Sequence, residues 1–310
     1  MRCPTLAELP PQPDKTGWPW TQDSSQLPEA MANGSSWPKI SIVTPSYNQG
    51  KFIEETIRSV LLQGYPNLEY FVIDGGSSDN SVEIIKKYEK WLTYWVSEPD
   101  KGQANAINKG LERATGEIAA YLNSDDLYLP GVLKHIAQTY RKTGFDVFVG
   151  KRKSKLLCRP RMFVYPFTFE EKCRYELPQE CVFWNHTKYK SLRFNERFHF
   201  CLDIWWFGQI YSGAQVVHSS KEIGFFREHE QSKSSRLQEL AKTEIQQIVA
   251  ELLPSADPVS DEAKEKIVSA YKQASLLAFG SHLLMPWKDS LFQYHHPAYF
   301  KETKTGGNHS

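Results

Sequence analysis

Four polar segments rich in Asp, Asn and Ser each follow a short apolar run in the first half of the sequence. They are residues 44–48 (TPSYN), 74–79 (DGGSSD), 97–100 (SEPD) and 123–126 (NSDD). Carboxylates suit hard, oxygen-seeking cations, and Mg²⁺ commonly binds through one or two carboxylates plus substrate phosphates. The set therefore predicts a site for a divalent cation and a phosphorylated ligand, with Asp125 as the carboxylate that holds the cation.

The intervening sequence predicts the elements that bring these segments together. Apolar residues at helical spacing, such as Ile53, Ile57 and Val60, alternate with β-branched or aromatic runs. This alternation is typical of βαβ units and predicts an α/β fold, with a Rossmann-like, mostly parallel sheet and helices on both faces. The predicted strands are 40–44, 70–73, 94–96, 118–122 and 147–149, with Pro130 at the first position of a helix. Since ligands bind beyond the carboxyl ends of such strands, the four segments should converge at one edge.

Several classes of function are disfavoured by motifs and charge. No G-x-G-x-x-G follows the first strand and no G-x-x-x-x-G-K-[ST] occurs, which argues against dehydrogenases and P-loop proteins. Lys and Arg total 37 against 36 Asp and Glu, so a nucleic acid is not an expected partner. The five cysteines show no metal or disulfide spacing and are interpreted as reduced packing residues. No apolar stretch is long enough to span a bilayer, and a cytoplasmic location is expected.

The ordered set of segments resembles glycosyltransferase family 2, whose fold is called GT-A. Residues 40–130 carry the close resemblance, including 105–110 and Thr115-Gly116-Glu117, and a looser resemblance continues to about residue 235. The resemblance implies an enzyme that transfers a sugar from a nucleotide diphosphate sugar to an acceptor hydroxyl, with inversion. It implies a UDP-sugar as the donor, a glycan or a lipid-linked molecule as the acceptor, and Mg²⁺ or Mn²⁺ as the cofactor.

By that resemblance, the nucleotide-sugar site has named candidates. Asp74 would hydrogen-bond the base, and Asn123-Ser124-Asp125 stands where the family carries D-x-D. Asp125 would then be the metal ligand, with Asn123 facing the ribose or the water shell of the metal. Asn in place of the first Asp removes one charge, so a weaker metal affinity is expected. The other implied nucleotide-site residues are Thr44, Pro45, Tyr47, Asn48, Asp100 and Asn108.

Inverting transfer also needs a general base for the acceptor hydroxyl. Asp203, just before the aromatic run 205–207, matches the place where the family carries an acidic residue at the start of an acceptor-side helix. Glu196 and Glu180 compete with it for this role. His229 is a candidate late ligand for the metal or a phosphate, and the alternative for it is a solvated loop.

Simpler structural interpretations stand beside these assignments. Asp79 is expected to cap a helix, and Asp126 is expected to be a structural partner of its own loop. Aromatic residues at helical spacing usually belong to the core, and this is expected for two of Trp205, Trp206 and Phe207.

Three regions are predicted along the chain. Residues 1–38 form an extended arm whose tryptophans pack in part on the domain surface. Residues 39–235 form the catalytic domain, divided into a nucleotide-binding half (39–130) and an acceptor half (131–235). Residues 236–310 form a helical extension, whose apolar stretch 276–287 either packs onto the domain or makes a peripheral contact with a membrane.

Two other functions remain open at the level of sequence. A nucleotidyltransferase that makes sugar nucleotides would need a basic, glycine-rich loop after the first strand, and Gln49-Gly50-Lys51 is a poor version of one. A non-catalytic protein that binds nucleotide sugars or carbohydrate is kept open by Asn123, whereas Asp125 and Asp203 argue against it.

Overall fold

The computed structural model describes residues 1–153, 178–211 and 213–227, together with 229, 240, 243, 244, 247, 248 and 251. The chain divides into two compact units, Met1–Pro258 and Val259–Ser310, and all described residues belong to the first. The apolar stretch 276–287, Cys158 and Cys173 lie outside the described residues. Within the described part, no helix is long and apolar enough to cross a membrane.

Strands and helices alternate between residues 40 and 153, as the periodicity predicts, except that β5 follows β4 with no helix between them. The strands are β1 (Ile40–Ser46), β2 (Leu68–Asp74), β3 (Tyr94–Ser97), β4 (Ile118–Tyr121), β5 (Leu127–Tyr128) and β6 (Val147–Lys153). The helices between them are α1 (Ile53–Leu61), α2 (Ser81–Tyr88), α3 (Gln103–Arg113) and α4 (Val132–Thr143). After residue 177 the described elements are β7 (Val182–Asn185), α5 (His186–Tyr189), α6 (Leu202–Tyr211) and β8 (Val216–Phe225).

One mixed, mostly parallel sheet contains all eight strands in the order β3-β2-β1-β4-β7-β6-β8-β5. The strands β3, β2, β1 and β4 are parallel neighbours, and β1 and β2 are buried along their whole length. The register pairs Ser46 with Asp74 and Asp74 with Ser97, so β1, β2 and β3 end side by side. The predicted α/β architecture is confirmed, and the first three polar segments leave the sheet at the same edge.

The second half of the sheet differs in detail from the sequence prediction. β7 lies between β4 and β6 and is antiparallel to both, so the predicted fifth strand does not neighbour the fourth. The two-residue strand β5, which pairs with β8, carries too little sequence for a periodic pattern. Helix α4 begins at Val132 after Gly131 in the left-handed region (φ 70°), so Pro130 precedes the helix and does not begin it.

The packing of α3 on β1 requires a glycine. A Cβ on Gly110 would lie 2.5 Å and 2.8 Å from the two methyl carbons of Val43, well inside normal contact. Gly110 therefore lets the backbone of α3 approach the buried face of β1 closely.

The arm 1–38 packs against the sheet domain, although its only helical element is a short 3₁₀ turn, Leu6–Glu8. Its buried apolar residues are Cys3, Leu9, Trp20, Leu27 and Trp37. The guanidinium of Arg58, on α1, is buried beneath the arm and donates hydrogen bonds to the carbonyls of Pro10 (2.9 Å), Pro19 (3.0 Å) and Trp20 (3.4 Å). It also donates to the hydroxyl of Tyr88 (3.1 Å). The buried guanidinium thus supplies hydrogen-bond donors to backbone carbonyls of an irregular segment, where no helix or sheet supplies them.

Candidate active site

The loops after β1 and β2 are joined by Asn48. Its backbone has a positive φ of 53°, which Asn tolerates better than most residues. Its backbone amide donates to Ser77 Oγ (2.7 Å), and its side-chain oxygen accepts from the amide of Ser78 (2.9 Å). Asn48 therefore fixes the spacing between two of the polar segments.

Tyr47 projects outward at this junction. Its relative exposure is 62%, and the only other exposed large apolar residue among those described is Met1. Thr44 and Pro45, in contrast, are buried, and the Thr44 hydroxyl shares a hydrogen bond with the Tyr70 hydroxyl (3.1 Å). Of the four candidates in this segment, Tyr47 and Asn48 present their side chains at the surface. An exposed aromatic ring offers a stacking face for a base or a sugar.

Asp74 ends β2 and is completely buried. Its carboxylate accepts hydrogen bonds from the amides of Gly76 and Ser77 and from the hydroxyls of Ser77 and Ser97, at 2.6 to 3.2 Å. A carboxylate has about four acceptor positions, and these donors use most of them. Asp74 therefore holds its own loop together. A hydrogen bond from Asp74 to a nucleotide base stays a prediction.

Two further candidates occupy the loop and helix after β3. Asp100 accepts from the amide of Gly102 (2.7 Å), and a Cβ on Gly75 would lie 2.9 Å from its carboxylate. Gly75 therefore allows Asp100 to sit against the loop after β2. Asn108 is buried and exchanges two hydrogen bonds with the backbone of Phe194 (2.8 and 2.9 Å). Asn108 thus anchors the segment before α6, and a role toward the nucleotide stays a prediction.

Asp125 and His229 come together at the end of β4. The imidazole Nε2 of His229 lies 2.9 Å from Asp125 Oδ2, and their side chains are 14% and 22% exposed. The His229 ring also lies against Phe52, with ring centroids 4.4 Å apart. The two residues that the sequence nominated as metal ligands are therefore neighbours at the surface of the sheet edge.

The segment 123–126 is held from α1. The hydroxyl of Thr56 lies within hydrogen-bond distance of the carbonyls of Ser124 (2.9 Å) and Asp126 (2.8 Å), which share its one proton. Ser124 itself is buried. Ser124 contributes its backbone to this anchor. Asp125 is the member of the segment whose carboxylate reaches the surface beside His229.

Asp126, the next residue, is buried in an acidic surrounding. Burial raises its pKa well above its usual range, and the charges of Asp125 and Glu180 act in the same direction. It accepts hydrogen bonds from the backbone amide of Arg227 (3.1 Å) and from the side-chain amide of Asn123 (3.3 Å). Asp126 thus ties the loop to the segment that carries His229, as expected for a structural partner.

Asn123 is the centre of a chain of amide side chains. Its oxygen accepts from Gln103 (2.6 Å), and its nitrogen donates to Gln179 (3.0 Å) as well as to Asp126. Gln179 in turn donates to the carbonyl of Tyr121 (2.6 Å). A carboxylate at position 123 could accept from Gln103 but could not donate to Asp126. The site therefore uses an amide where the resembled family carries Asp.

Asp203 lies in the first turn of α6 and is partly exposed, and its Oδ1 accepts from the amide of Ile204 (2.8 Å). Burial raises the pKa of Tyr121 well above its usual range, and the charges of Asp203, Asp126 and Glu180 raise it further. Trp206 and Phe207 are buried and Trp205 is partly exposed, as predicted for two core residues out of three.

The two rival bases are engaged elsewhere. Glu180 is buried in a bidentate ion pair with Arg152. Hydrogen bonds from the side-chain amides of Asn105 (3.0 Å) and Asn108 (3.1 Å) lower the pKa of Glu196, which makes it a weaker proton acceptor. Asp79 accepts from the amides of Gly50 and Ser81 (both 2.9 Å). The N-cap position of α2 is occupied by Asn80, so Asp79 lies one residue before the cap that was expected for it and accepts from the first amide of the helix.

Sequence reasoning missed two contributors to the site. Arg227 pairs with Glu55 on α1 (2.8 Å) and lies over the ring of Phe52 (4.9 Å), so the chain before His229 is fixed to α1. Gln179 was overlooked because nothing in the local sequence pairs it with Asn123. Partners so distant in the chain leave no periodic signal.

The mostly parallel sheet, with helices packed on it and polar strand ends, has the GT-A fold. Among solved structures, S. aureus TarS 1–349 in complex with UDP superposes with a TM-score of 0.58 at 22% identity, over 78% of this chain and 72% of that one. The mannosyltransferase PcManGT from Pyrobaculum calidifontis, in complex with GDP-Man and Mn²⁺, gives 0.56 at 17% identity, over 88% and 83%.

The family model for glycosyl transferase family 2 matches residues 41–211, and the chain belongs to that family. The teichuronic acid biosynthesis glycosyltransferase TuaG of Bacillus subtilis, whose assignment is provisional, is 42% identical over 96 residues, 30% of this chain and 38% of TuaG. The glycosyltransferase GlyG of Streptococcus pneumoniae is 33% identical over 114 residues, 36% of this chain and 38% of GlyG. The alignments thus span 38% of the length of each of these relatives.

Proposed function

We propose that this member of the family transfers a sugar from a UDP-sugar to an acceptor hydroxyl, with inversion and with the help of a divalent cation. The observation that carries the proposal is the approach of Asp125 and His229 to 2.9 Å at the end of β4. Tyr47 and Asn48 stand at the same edge of the sheet, where a nucleotide would bind between the loops.

The residues at this edge fit a cation that is shared with a substrate. Among the described residues, no cluster of three or more His, Cys, Asp and Glu could enclose a metal alone. A carboxylate and an imidazole leave positions for diphosphate oxygens and water, and Mg²⁺ is commonly held this way, through one or two carboxylates plus substrate phosphates. Asp125 and His229 would hold the cation, which would supply Lewis-acid stabilisation of the leaving diphosphate.

Asp203 is the proposed general base. Its carboxylate takes the proton of the acceptor hydroxyl while the acceptor oxygen forms a bond to the anomeric carbon of the donor sugar. The bond from that carbon to the diphosphate breaks in the same displacement, and the nucleoside diphosphate leaves with the bonding electron pair. The engagement of Glu180 with Arg152 and the lowered pKa of Glu196 support Asp203 over both rivals.

The donor and acceptor are proposed from the relatives. Two of the similar structures are complexes of TarS with UDP or UDP-GlcNAc, and another holds GDP-Man with Mn²⁺. TuaG is described as an enzyme of teichuronic acid biosynthesis. We therefore propose a glycan or a lipid-linked precursor of a surface polysaccharide as the acceptor, with peripheral membrane contact where the acceptor is lipid-linked.

A nucleotidyltransferase function has less support. It would need the backbone amides after β1 to bind phosphates, but the amide of Gly50 donates to Asp79 and that of Gln49 donates to Ser81 (both 2.9 Å). These donors are already occupied within the protein.

The proposal is tested by thermal shift with UDP, UDP-GlcNAc, GDP and GDP-Man, each with Mn²⁺, with Mg²⁺ or with EDTA. A ligand that binds only the folded state raises the melting temperature by mass action. We expect the UDP compounds to stabilise the protein most, and only with a divalent cation. Equal stabilisation in EDTA would show that the proposed metal is wrong. Greater stabilisation by the GDP compounds would show that the proposed UDP-sugar donor is wrong.

A further inference from the structure

The backbone immediately before α6 is held by a carboxylate from a distant part of the chain. Glu244 is buried and accepts hydrogen bonds from three consecutive backbone amides, those of His199 (2.7 Å), Phe200 (2.9 Å) and Cys201 (2.7 Å). Hydrogen bonds to an ionised acceptor are about twice as strong as neutral ones. These three amides lie immediately before Leu202, where α6 begins.

Asp203 follows two residues after the last of these amides. Burial raises the pKa of the Cys201 thiol, and the charges of Asp203 and Glu244 raise it further. Any displacement of the backbone at 199–201 shifts the start of α6, and with it the side chain of Asp203.

The chain around Glu244 is itself fixed to the same region. Ile248 is buried, and Glu251 forms an ion pair with Arg197 (2.6 Å) at a more exposed position. Arg197, His199 and Cys201 all belong to the segment that leads into α6. Two contacts therefore join the described residues after 239 to this segment: the buried hydrogen bonds of Glu244 and the more exposed ion pair of Glu251.

We propose that Glu244 is a positioning residue: it fixes the backbone before α6 and so sets the place of the Asp203 carboxylate for proton transfer. The proposal rests on the proposed function of Asp203. The role requires both oxygens of Glu244, since Oε1 accepts from His199 and Oε2 accepts from the other two amides. A Gln side chain of nearly the same size replaces one of these oxygens with an NH₂ group that cannot accept.

The test compares Glu244→Gln with the matched control Glu251→Gln, in the full chain. Release of UDP from UDP-GlcNAc with Mn²⁺, with water as the acceptor, reports kcat and KM for the donor. For Glu244→Gln we expect kcat to fall about 10- to 10²-fold with KM changed less than about twofold, because a displaced base slows the chemistry without touching donor binding. Amide hydrogen exchange at 199–201 should accelerate at least about tenfold. Glu251→Gln should change none of these quantities.

Two results would overturn the role of Glu244. The first is that amide exchange at 199–201 in Glu244→Gln is the same as in the native protein. The second is that exchange is faster but kcat is unchanged, or that KM rises as much as kcat falls. Asp203→Asn separates this failure from a failure of the proposed function. If Asp203→Asn retains kcat, the base assignment is wrong and Glu244 loses its role with it. If Asp203→Asn loses kcat and Glu244→Gln does not, only the positioning role is wrong.

Discussion

Asp125 and His229 are 104 positions apart in the chain and share one hydrogen bond at the sheet edge. A divalent cation between them and a diphosphate would stabilise the leaving group by several kcal/mol. We therefore expect Asp125→Ala to lower kcat by at least about 10²-fold and to abolish the response of activity to Mn²⁺. The measurement is UDP release at increasing Mn²⁺ concentration. Glu83→Ala, which removes an exposed carboxylate on α2, is the control and should behave as the native protein.

The base assignment makes a second prediction at the scale of single residues. Asp203→Asn keeps the size of the side chain but removes its proton affinity, so kcat should fall about 10²- to 10⁴-fold while nucleotide binding stays the same. Glu196→Gln is the matched variant, because Glu196 already accepts from Asn105 and Asn108. If Glu196→Gln causes the large loss and Asp203→Asn does not, the two roles must be exchanged.

At the scale of elements, the contact between α3 and β1 leaves no room for a side chain at Gly110. Gly→Ala in an exposed helix interior normally stabilises by about 0.5–1 kcal/mol. At Gly110 the added methyl would meet Val43 at 2.5 Å, so we expect Gly110→Ala to lower the free energy of unfolding by about 1–3 kcal/mol. Urea denaturation measures this. Glu112→Ala, on the exposed surface of the same helix, should stay within about 0.5 kcal/mol of the native protein.

The elements also show how far the sequence could be interpreted. β1 to β4 and the helices between them follow from apolar periodicity, because β1, β2 and β4 are buried runs bounded by polar residues and β3 is a short, half-buried run of the same kind. β7 carries the same local signal as a parallel strand, and its antiparallel place between β4 and β6 is decided by tertiary pairing. Tyr47 and Asp125 were found because they lie in polar segments that follow apolar strands, Tyr47 directly after β1 and Asp125 four residues after β4. Gln179 and Glu244 were not, since their partners lie more than 40 positions away.

At the scale of the whole molecule, residues 10–20 of the arm are tied to α1 by the buried guanidinium of Arg58. Arg58→Met keeps much of the side-chain volume but leaves the carbonyls of Pro10, Pro19 and Trp20 without their donor. Each buried acceptor left unpaired costs about 1–3 kcal/mol. We expect proteolytic cleavage within residues 10–20 of Arg58→Met under conditions in which the native protein is resistant. If the variant is no more sensitive there than the native protein, Arg58 does not hold the arm.

The chain of side-chain amides through Asn123 has a direction. Gln103 donates to Asn123, Asn123 donates to Gln179, and Gln179 donates to the carbonyl of Tyr121. Reversing any one amide would set oxygen against oxygen or nitrogen against nitrogen at the next contact, so the three keep a common orientation. None of these groups gains or loses a proton between acidic and alkaline conditions. The hydrogen bonds from Gln103 through Asn123 to Gln179 and the Tyr121 carbonyl therefore do not depend on the protonation of any of their own members.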